Sequence, residues 1–191
     1  MTTRPMFRSR FPLAWLRLVI AALICCASTA SAQEREEGDD GPKGVVIGTV
    51  VVRVAEPTNS SVLRAGRKLD EAKWALQLVR AKSFFFRKQV SVRSGSDEHF
   101  LLELGAGSYT FDQLIAQGFA NFYFPVGVRF DVTPGTTTYI GTLQILLPYR
   151  MYDGPADYNV ADSQAETVEA LRSDHPELAG GVTTRLMVLE E

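Results

Sequence analysis

The sequence predicts a mainly β fold, an antiparallel β-sandwich of about seven to nine strands with one short C-terminal helix. Hydrophobic residues recur at every second position in most segments after residue 44, which is the pattern of half-buried strands. Turns containing glycine or proline separate these segments, and long helices do not alternate with them. Two antiparallel sheets packed face to face are therefore favoured, and a closed barrel is the alternative because its strands alternate in the same way.

The first 32 residues have the layout of an export signal. Four arginines and no acidic residue accompany the apolar run 18–26, and the segment ends in Ala-Ser-Thr-Ala-Ser-Ala. The run is shorter than the roughly 20 residues that cross a membrane, and the small residues fit a cleavage site after Ala32. We expect the mature protein in the periplasm or secreted. The alternative is a lipid anchor at Cys26 in the outer membrane, although Cys25 is not the small residue that normally precedes a lipidated cysteine.

Removal of this segment changes the chemistry of the chain. Residues 1–32 hold four arginines, no acidic residue and both cysteines, so the formal net charge falls from −2 to −6 and no thiol remains. The mature chain can form neither a disulfide nor a thiolate metal site. Because affinity for nucleic acids comes from clustered Lys and Arg, we expect no nucleic-acid partner. We also expect no cofactor, and membrane contact only if a lipid is attached.

The remaining chain divides into a leader and one domain. Residues 33–43 are charged and glycine-containing without an apolar anchor, which predicts a disordered acidic leader. Residues 44–191 then form a single β-sandwich domain, since about 150 residues suffice for one core.

Strands in the first half of the domain follow from period-two hydrophobicity. The segments 45–54, 73–78, 84–92 and 99–104 each place large apolar side chains on one side, and Ser-Gly-Ser-Asp at 94–97 predicts a turn. The predicted inward residues are Val46, Val50, Val52, Val54, Trp74, Leu76, Leu78, Phe84, Phe86, Val90, Val92, Phe100, Leu102 and Leu104.

The second half gives the clearest strand, residues 122–132, in which six apolar side chains occupy every second position. A Pro-Gly turn leads to a strand at 138–148, predicted to place Tyr139 on the same side as Leu143, Ile145 and Leu147. A helix should begin at Ser163, with Glu166 completing a capping box, and should end near His175 because Pro176 follows. Residues 182–189 predict one last strand.

Residues 100–109, Phe-Leu-Leu-Glu-Leu-Gly-Ala-Gly-Ser-Tyr, resemble the strand, glycine turn and Gly-x-Tyr element of transthyretin-like, carboxypeptidase-regulatory-like β-sandwich domains of exported bacterial envelope proteins. The resemblance extends loosely to 45–54 and 130–143. It implies a tyrosine that opens the next strand inward, and a binding, adaptor or structural module without its own catalytic residues. The longer C-terminal part, 151–191, departs from the usual small module, and likeness of fold does not carry function by itself.

The chain shows no catalytic motif. The mature sequence has two histidines, His99 at an outward strand position and His175 at a helix end, where histidine typically interacts with free carbonyls. Neither Gly-x-Ser-x-Gly nor His-Glu-x-x-His occurs, and no glycine-rich phosphate loop joins a strand to a helix. We therefore predict no catalytic residue and a protein that is not an enzyme.

Two groups of side chains are candidates for binding. Asp153, Asp157 and Asp162 fall in a predicted loop and could hold calcium through oxygen ligands, although aspartates also serve turns by local hydrogen bonding. Tyr123 and Tyr149, with Tyr152 and Tyr158, are predicted outside the core, where aromatic side chains mark recognition surfaces. The alternative role of Tyr152 and Tyr158 is to cover the edge of the sandwich.

Two functions compete at this point. The favoured hypothesis is a non-catalytic binding or structural module of the bacterial cell envelope, which recognises a protein or cell-wall partner through loops or a sheet edge. The alternative is a carboxylate-based hydrolase of cell-wall or polysaccharide substrates, for which two acids must face each other across a cleft. The acids considered for this role are Glu98, Glu103, Asp112 and Asp131.

Overall fold

The computed structural model describes residues 41–57, 69, 72–83, 85–118, 122–150 and 154–190. These residues form two β-sheets and one α-helix, which confirms the predicted β-sandwich class. The strands are β1 Lys43–Val54, β2 Lys73–Arg80, β3 Arg87–Arg93, β4 Asp97–Gly105, β5 Gly107–Ala116, β6 Tyr123–Val132, β7 Thr137–Leu147, β8 Asp157–Ala161, β9 Thr183–Thr184 and β10 Val188–Leu189. The helix α1 is Gln164–Arg172, followed by a 3-10 helix at Pro176–Gly180.

Some predicted features lie outside the described residues. They are the signal at 1–32, the leader up to residue 40, Phe84, Tyr152 and Asp153. Lys43, predicted as the end of the leader, is the first residue of β1.

Each sheet contains five strands, and the strands of each sheet are not consecutive along the chain. Sheet 1 has the order β4-β1-β7-β8, with β9 beside β7, and sheet 2 has the order β10-β6-β5-β2-β3. Sheet 2 is antiparallel throughout, whereas β1 and β7 run parallel in sheet 1. The chain leaves sheet 1 after β1 and returns beside it at β7. The antiparallel prediction therefore holds for most neighbours but not for β1 and β7, nor for β7 and β9, which also run parallel.

The main core lies between the sheets and contains the residues that alternation predicted. Phe124, Val126, Val128, Phe130 and Val132 of β6 are all buried. Aromatic rings fill the centre: the ring centroids of Phe111 and Phe130 lie 5.3 Å apart, and Tyr109 stacks on Phe130 at 5.9 Å. Such pairs add to the burial of large apolar side chains, which is the main source of stability for a domain without disulfides.

A β-bulge in β7 overturns one core prediction. Ile47 of β1 pairs with Tyr139 and Thr49 pairs with Thr142, so two residues of β7 lie opposite the single residue between them. One of the two is Gly141, with a φ of +104° that favours glycine. The extra residue reverses the alternation, so Ile140 enters the main core. The prediction that Tyr139 shares a face with Leu143 is therefore wrong.

Tyr139 instead lies in a second, smaller core beneath α1. Ile47, Tyr139 and Leu178 are buried together there, and Val168 and Leu171 of α1 pack against them. In the ranges that the structure describes, no helix has both the length and the apolar character needed to cross a bilayer. Because Val168 and Leu171 pack on this second core, the helix covers part of the outer face of sheet 1.

The helix ends close to the predicted position, but the predicted capping box is wrong. The Ser163 hydroxyl makes no capping hydrogen bond. The Asp162 carboxylate accepts the Gln164 N–H at 3.2 Å, and the Ser163 N–H donates to the Tyr139 hydroxyl at 2.7 Å. The Tyr139 hydroxyl and the Asp162 carboxylate therefore satisfy the backbone N–H groups of Ser163 and Gln164 at the start of the helix, without a capping box.

The C-terminal segment crosses from one sheet to the other. The predicted single strand at 182–189 is wrong, because β9 pairs with β7 and β10 pairs with β6. Between them the Met187 N–H donates to the Ile140 carbonyl at 2.8 Å, and the Met187 side chain enters the main core. β9 and β10 are separate strands because β9 pairs with β7 of sheet 1 and β10 pairs with β6 of sheet 2. The segment closes one side of the sandwich.

Candidate functional site

A groove lies on the part of the outer face of sheet 1 that α1 leaves uncovered. Its volume is about 330 Å³. The residues that line it come from β1, β7 and β8, and they are Val51, Arg53, Gln144, Ile145, Leu146, Asp157, Tyr158 and Asn159.

Strand register sets most of these side chains in two rows. Arg53 pairs with Leu146, which pairs with Asp157 on the next strand. Val51 pairs with Gln144, which pairs with Asn159. Because directly paired residues point to the same face and neighbouring strands lie about 4.8 Å apart, each row brings its three side chains into reach of one another.

The two rows combine apolar and hydrogen-bonding groups. Leu146 is 44% exposed between the Arg53 guanidinium and the Asp157 carboxylate, and Val51 is buried beside it. In the other row the Asn159 amide donates to the Gln144 side-chain oxygen at 3.1 Å. Each amide keeps further donor and acceptor capacity after this bond. The groove can therefore hold a ligand that has an apolar side and polar groups around it.

Arg53 is held at the rim by a neighbouring strand. Its guanidinium lies 3.8 Å from the Asp97 carboxylate of β4, and both side chains are more than half exposed. An ion pair of this kind is weak, so the guanidinium stays available to a ligand. Arg53 also lines a second depression of about 300 Å³ with Val54, Ser94 and Gly95.

Tyr158 fixes β8 against the opposite sheet. Its hydroxyl donates to the Pro125 carbonyl of β6, and the side chain packs against the main core. Burial, and to a lesser extent the adjacent Asp157 carboxylate, raises the pKa of Tyr158 to about 12. The hydroxyl therefore stays protonated at neutral pH and serves as a donor, in keeping with the predicted role of covering the sandwich edge. By holding β8 it also positions Asp157 and Asn159.

A buried polar chain joins the helix to the same sheet face. The Thr49 hydroxyl lies 2.7 Å from the Thr167 hydroxyl of α1 and 2.8 Å from Nδ1 of His99. Thr49 points to the outer face of sheet 1, yet its side chain is only 3% exposed because α1 covers it. His99 is thus part of a link between β4, β1 and α1, at the end of the groove nearer the helix.

Of the three calcium candidates, Asp157 and Asp162 lie apart in the structure, and Asp153 is outside the described residues. Asp157 begins β8 and Asp162 follows its last residue, so residues 157–161 form a strand where a loop was predicted. Five residues of extended chain separate the two by about 16 Å. Asp162 caps α1, whereas Asp157 lines the groove. Among the residues with described positions, no group of three or more metal-ligating side chains occurs.

The other predicted site residues lie away from the groove. Tyr123 is 51% exposed on the outer face of sheet 2. Tyr149 follows β7 and stacks with the Arg150 guanidinium, 5.5 Å from the ring centroid. The His175 imidazole bonds to the Glu177 carboxylate at 3.0 Å, and the His175 backbone N–H donates to the Leu171 carbonyl at 2.9 Å. Glu177's own backbone N–H, and then His175, lower the pKa of that carboxyl.

The carboxylates considered for hydrolysis are dispersed. Glu103 pairs with Lys43 at 3.5 Å, Asp112 accepts from the Gln77 amide, and Asp131 pairs with Arg185 at 2.8 Å. Glu98 lies on β4, an edge strand of sheet 1.

Within the groove lining, Asp157 is the one carboxylate among the described residues. Asp97, on the same face, is three strands away, or about 14 Å. Glycosidase pairs stand roughly 5–9.5 Å apart, so these two acids do not form one.

A comparison with protein-family models, curated proteins and solved structures finds no match for this chain. The groove must therefore be interpreted from its own chemistry.

Asp157 and Tyr158 were predicted as candidate site residues from the sequence. No sequence pattern predicted the other polar and exposed residues of the groove, which are Arg53, Gln144, Leu146 and Asn159. Leu146 is an apolar residue at an outward strand position, but single exposed leucines are common on protein surfaces, so the sequence carried no specific signal for the groove.

Proposed function

We propose that this protein is a non-catalytic binding module of the bacterial cell envelope that recognises a protein or cell-wall partner at the groove on sheet 1. The observation that supports the proposal is the groove itself, with Leu146 exposed among a guanidinium, a carboxylate and two amides. Binding sites typically combine an apolar floor with a few hydrogen-bonding groups that fix orientation.

The groove is built on regular strands, which favours recognition of a ligand by a preformed surface. Gln144 and Asn159 already bond to each other, and Tyr158 anchors β8 from the other side. A preformed site loses little conformational entropy on binding. The groove replaces the loops and sheet edges that the sequence suggested as the binding region.

The place of action rests on the N-terminal segment and on the resemblance. An arginine-rich start, a short apolar run and small residues before position 33 are typical of export signals. The resemblance of residues 100–109 to transthyretin-like envelope domains supports a binding or structural role in the same compartment.

Site-specific photo-cross-linking in the periplasm tests this proposal. A photoreactive residue at position 146 is expected to capture a protein or a cell-wall fragment, whereas the same residue at Thr133, exposed in the turn between β6 and β7, is the matched control. Asn159→Leu should reduce the yield at position 146 by removing a polar partner from the groove. Equal capture at both positions, or none at position 146, would contradict the proposal.

A further inference from the structure

The outer face of sheet 2, on the other side of the sandwich from the groove, is flat and basic. Paired positions build rows across its strands, and one row aligns Gln89, Gln77 and Gln113 on β3, β2 and β5. The row nearer one end aligns Arg87 with Val79, Thr110 and Arg129. At the other end Lys73 pairs with Arg93.

Three of these cations have no acidic partner among the residues that the structure describes. In the described part of the chain, Lys73, Arg87 and Arg93 are exposed and make no ion pair. Arg129 differs, because it lies 3.5 Å from the Glu190 carboxylate. The acid closest to the glutamine row, Asp112, accepts hydrogen bonds from Gln77.

This basic face stands out because the whole chain is acidic, with a formal net charge of −2. On the other side of the sandwich, α1 and its surroundings expose Glu166, Glu169, Asp174 and Glu177. Cations are therefore in excess on this face, where the two acids Asp112 and Asp131 bond to Gln77 and Arg185, and acids are in excess around the helix. Segregated charge of this kind steers partners of opposite sign to one surface.

We propose that the outer face of sheet 2 binds an anionic polysaccharide. The cations at both ends of the face would pair with carboxylates of the polymer, and the side-chain amides of Gln89 and Gln113 between them can donate to and accept from its hydroxyl groups. Gln77, in the same row, is buried and donates to the Asp112 carboxylate, so it supports the row from beneath. Tyr123, 51% exposed at one end of the row through Ala75 and Ile115, offers an aromatic ring to the apolar side of a sugar.

An extended polymer fits this face better than a lipid surface does. Membrane-surface binding combines basic residues with several apolar side chains that enter the lipid. Here Gln89 and Gln113 flank the buried Gln77 between the cations, and the exposed apolar side chains Tyr123 and Val188 lie towards the edge of the sheet, on β6 and β10. Because this surface and the groove lie on different sheets, the proposal is independent of the proposed function and can fail separately.

Affinity electrophoresis of the full mature chain in gels containing polygalacturonate tests the proposal, with neutral dextran as the control polymer. Polygalacturonate should retard the protein, dextran should not, and the retardation should decline between about 20 mM and about 300 mM NaCl as screening increases. Arg87→Gln with Arg93→Gln should weaken binding about fivefold, since two exposed ion pairs are lost.

The matched control is Lys43→Gln with Arg172→Gln, which removes two exposed cations from the other side of the molecule and should leave binding within about twofold. Circular dichroism confirms that both double variants fold. Equal losses in the two variants, equal retardation by dextran, or no retardation of the wild type would overturn the proposal. Binding to phosphatidylglycerol vesicles without binding to polygalacturonate would also overturn it, in favour of a lipid surface.

Discussion

Replacement of Gly141 by alanine should destabilise the protein more than the same replacement at Gly135. Both glycines have a positive φ, +104° at Gly141 in the β7 bulge and +70° at Gly135 in the turn before β7. They differ in their surroundings. A methyl group at position 141 would lie 3.0 Å from Cγ1 of Val160 and 3.3 Å from the Ala161 carbonyl oxygen, whereas one at position 135 would meet nothing within 4 Å.

The expected magnitudes follow from these two contributions. A positive φ costs an alanine about 1–2 kcal/mol, and this applies at both positions. Crowding in a packed region adds about 1–2 kcal/mol at position 141. Gly141→Ala should therefore lower the free energy of unfolding by about 3 kcal/mol, and Gly135→Ala by about 1 kcal/mol. For a domain of about 150 residues these losses lower Tm by about 6–12 °C and about 2–4 °C respectively.

Urea denaturation monitored by tryptophan fluorescence measures both losses, because Trp74 is fully buried in the core. The m-value should be unchanged in both variants if only stability is affected. A loss for Gly141→Ala that is equal to or smaller than the loss for Gly135→Ala would refute the account of the bulge.

Two further predictions concern the polar anchors. Tyr158→Phe removes the hydrogen bond to the Pro125 carbonyl and should cost about 1 kcal/mol in urea denaturation. Because the pKa of Tyr158 is raised in the fold, this residue stabilises the protein below pH 10, and the stabilisation is lost as pH rises through about 12. The wild type should therefore lose more free energy of unfolding than Tyr158→Phe across that pH range. Equal losses would contradict the assignment. Thr49→Val leaves the Thr167 and His99 side chains without their shared partner and should cost about 1–2 kcal/mol, with faster hydrogen exchange in α1. Thr110→Val, on the half-buried outer face of sheet 2, is the control, and a loss there as large as at Thr49 would argue against the buried chain.

Strands whose buried side chains alternate without interruption were predictable from sequence, and β6 is one of them although its register with β5 shifts near Gly127. Strands in which a bulge shifts the alternation were not predictable. In β6 the inward residues keep every second position from Phe124 to Val132, so periodicity located the strand within a residue. In β5 the residue Asp112 is extra relative to β2, because Leu78 pairs with Phe111 and Gln77 pairs with Gln113. Phe111 and Leu114 are therefore both inward although three positions apart, which hides the strand from a period-two pattern.

The candidate site was less predictable than the fold, because its residues belong to three strands that meet only after folding. Arg53 and Gln144 have the sequence context of ordinary outward positions, and β8 is too short and polar to show a pattern. The cover provided by α1 was also hidden. A single face of sheet 1 is buried under the helix at Thr49 and open at Leu146, and alternation carries no information about which part of a face is covered.

The most direct test of the central claim is a two-dimensional NMR titration of the isotope-labelled mature chain with soluble peptidoglycan fragments and with fractionated periplasmic proteins. If the groove on sheet 1 is the binding site, a binding fraction should shift the amide signals of Val51, Arg53, Leu146 and Asn159 and leave those of the turn at 133–136 unchanged. Leu146→Asp should abolish these shifts while the spectrum stays folded. Shifts confined to other surfaces, or no shifts with either class of ligand, would contradict the claim.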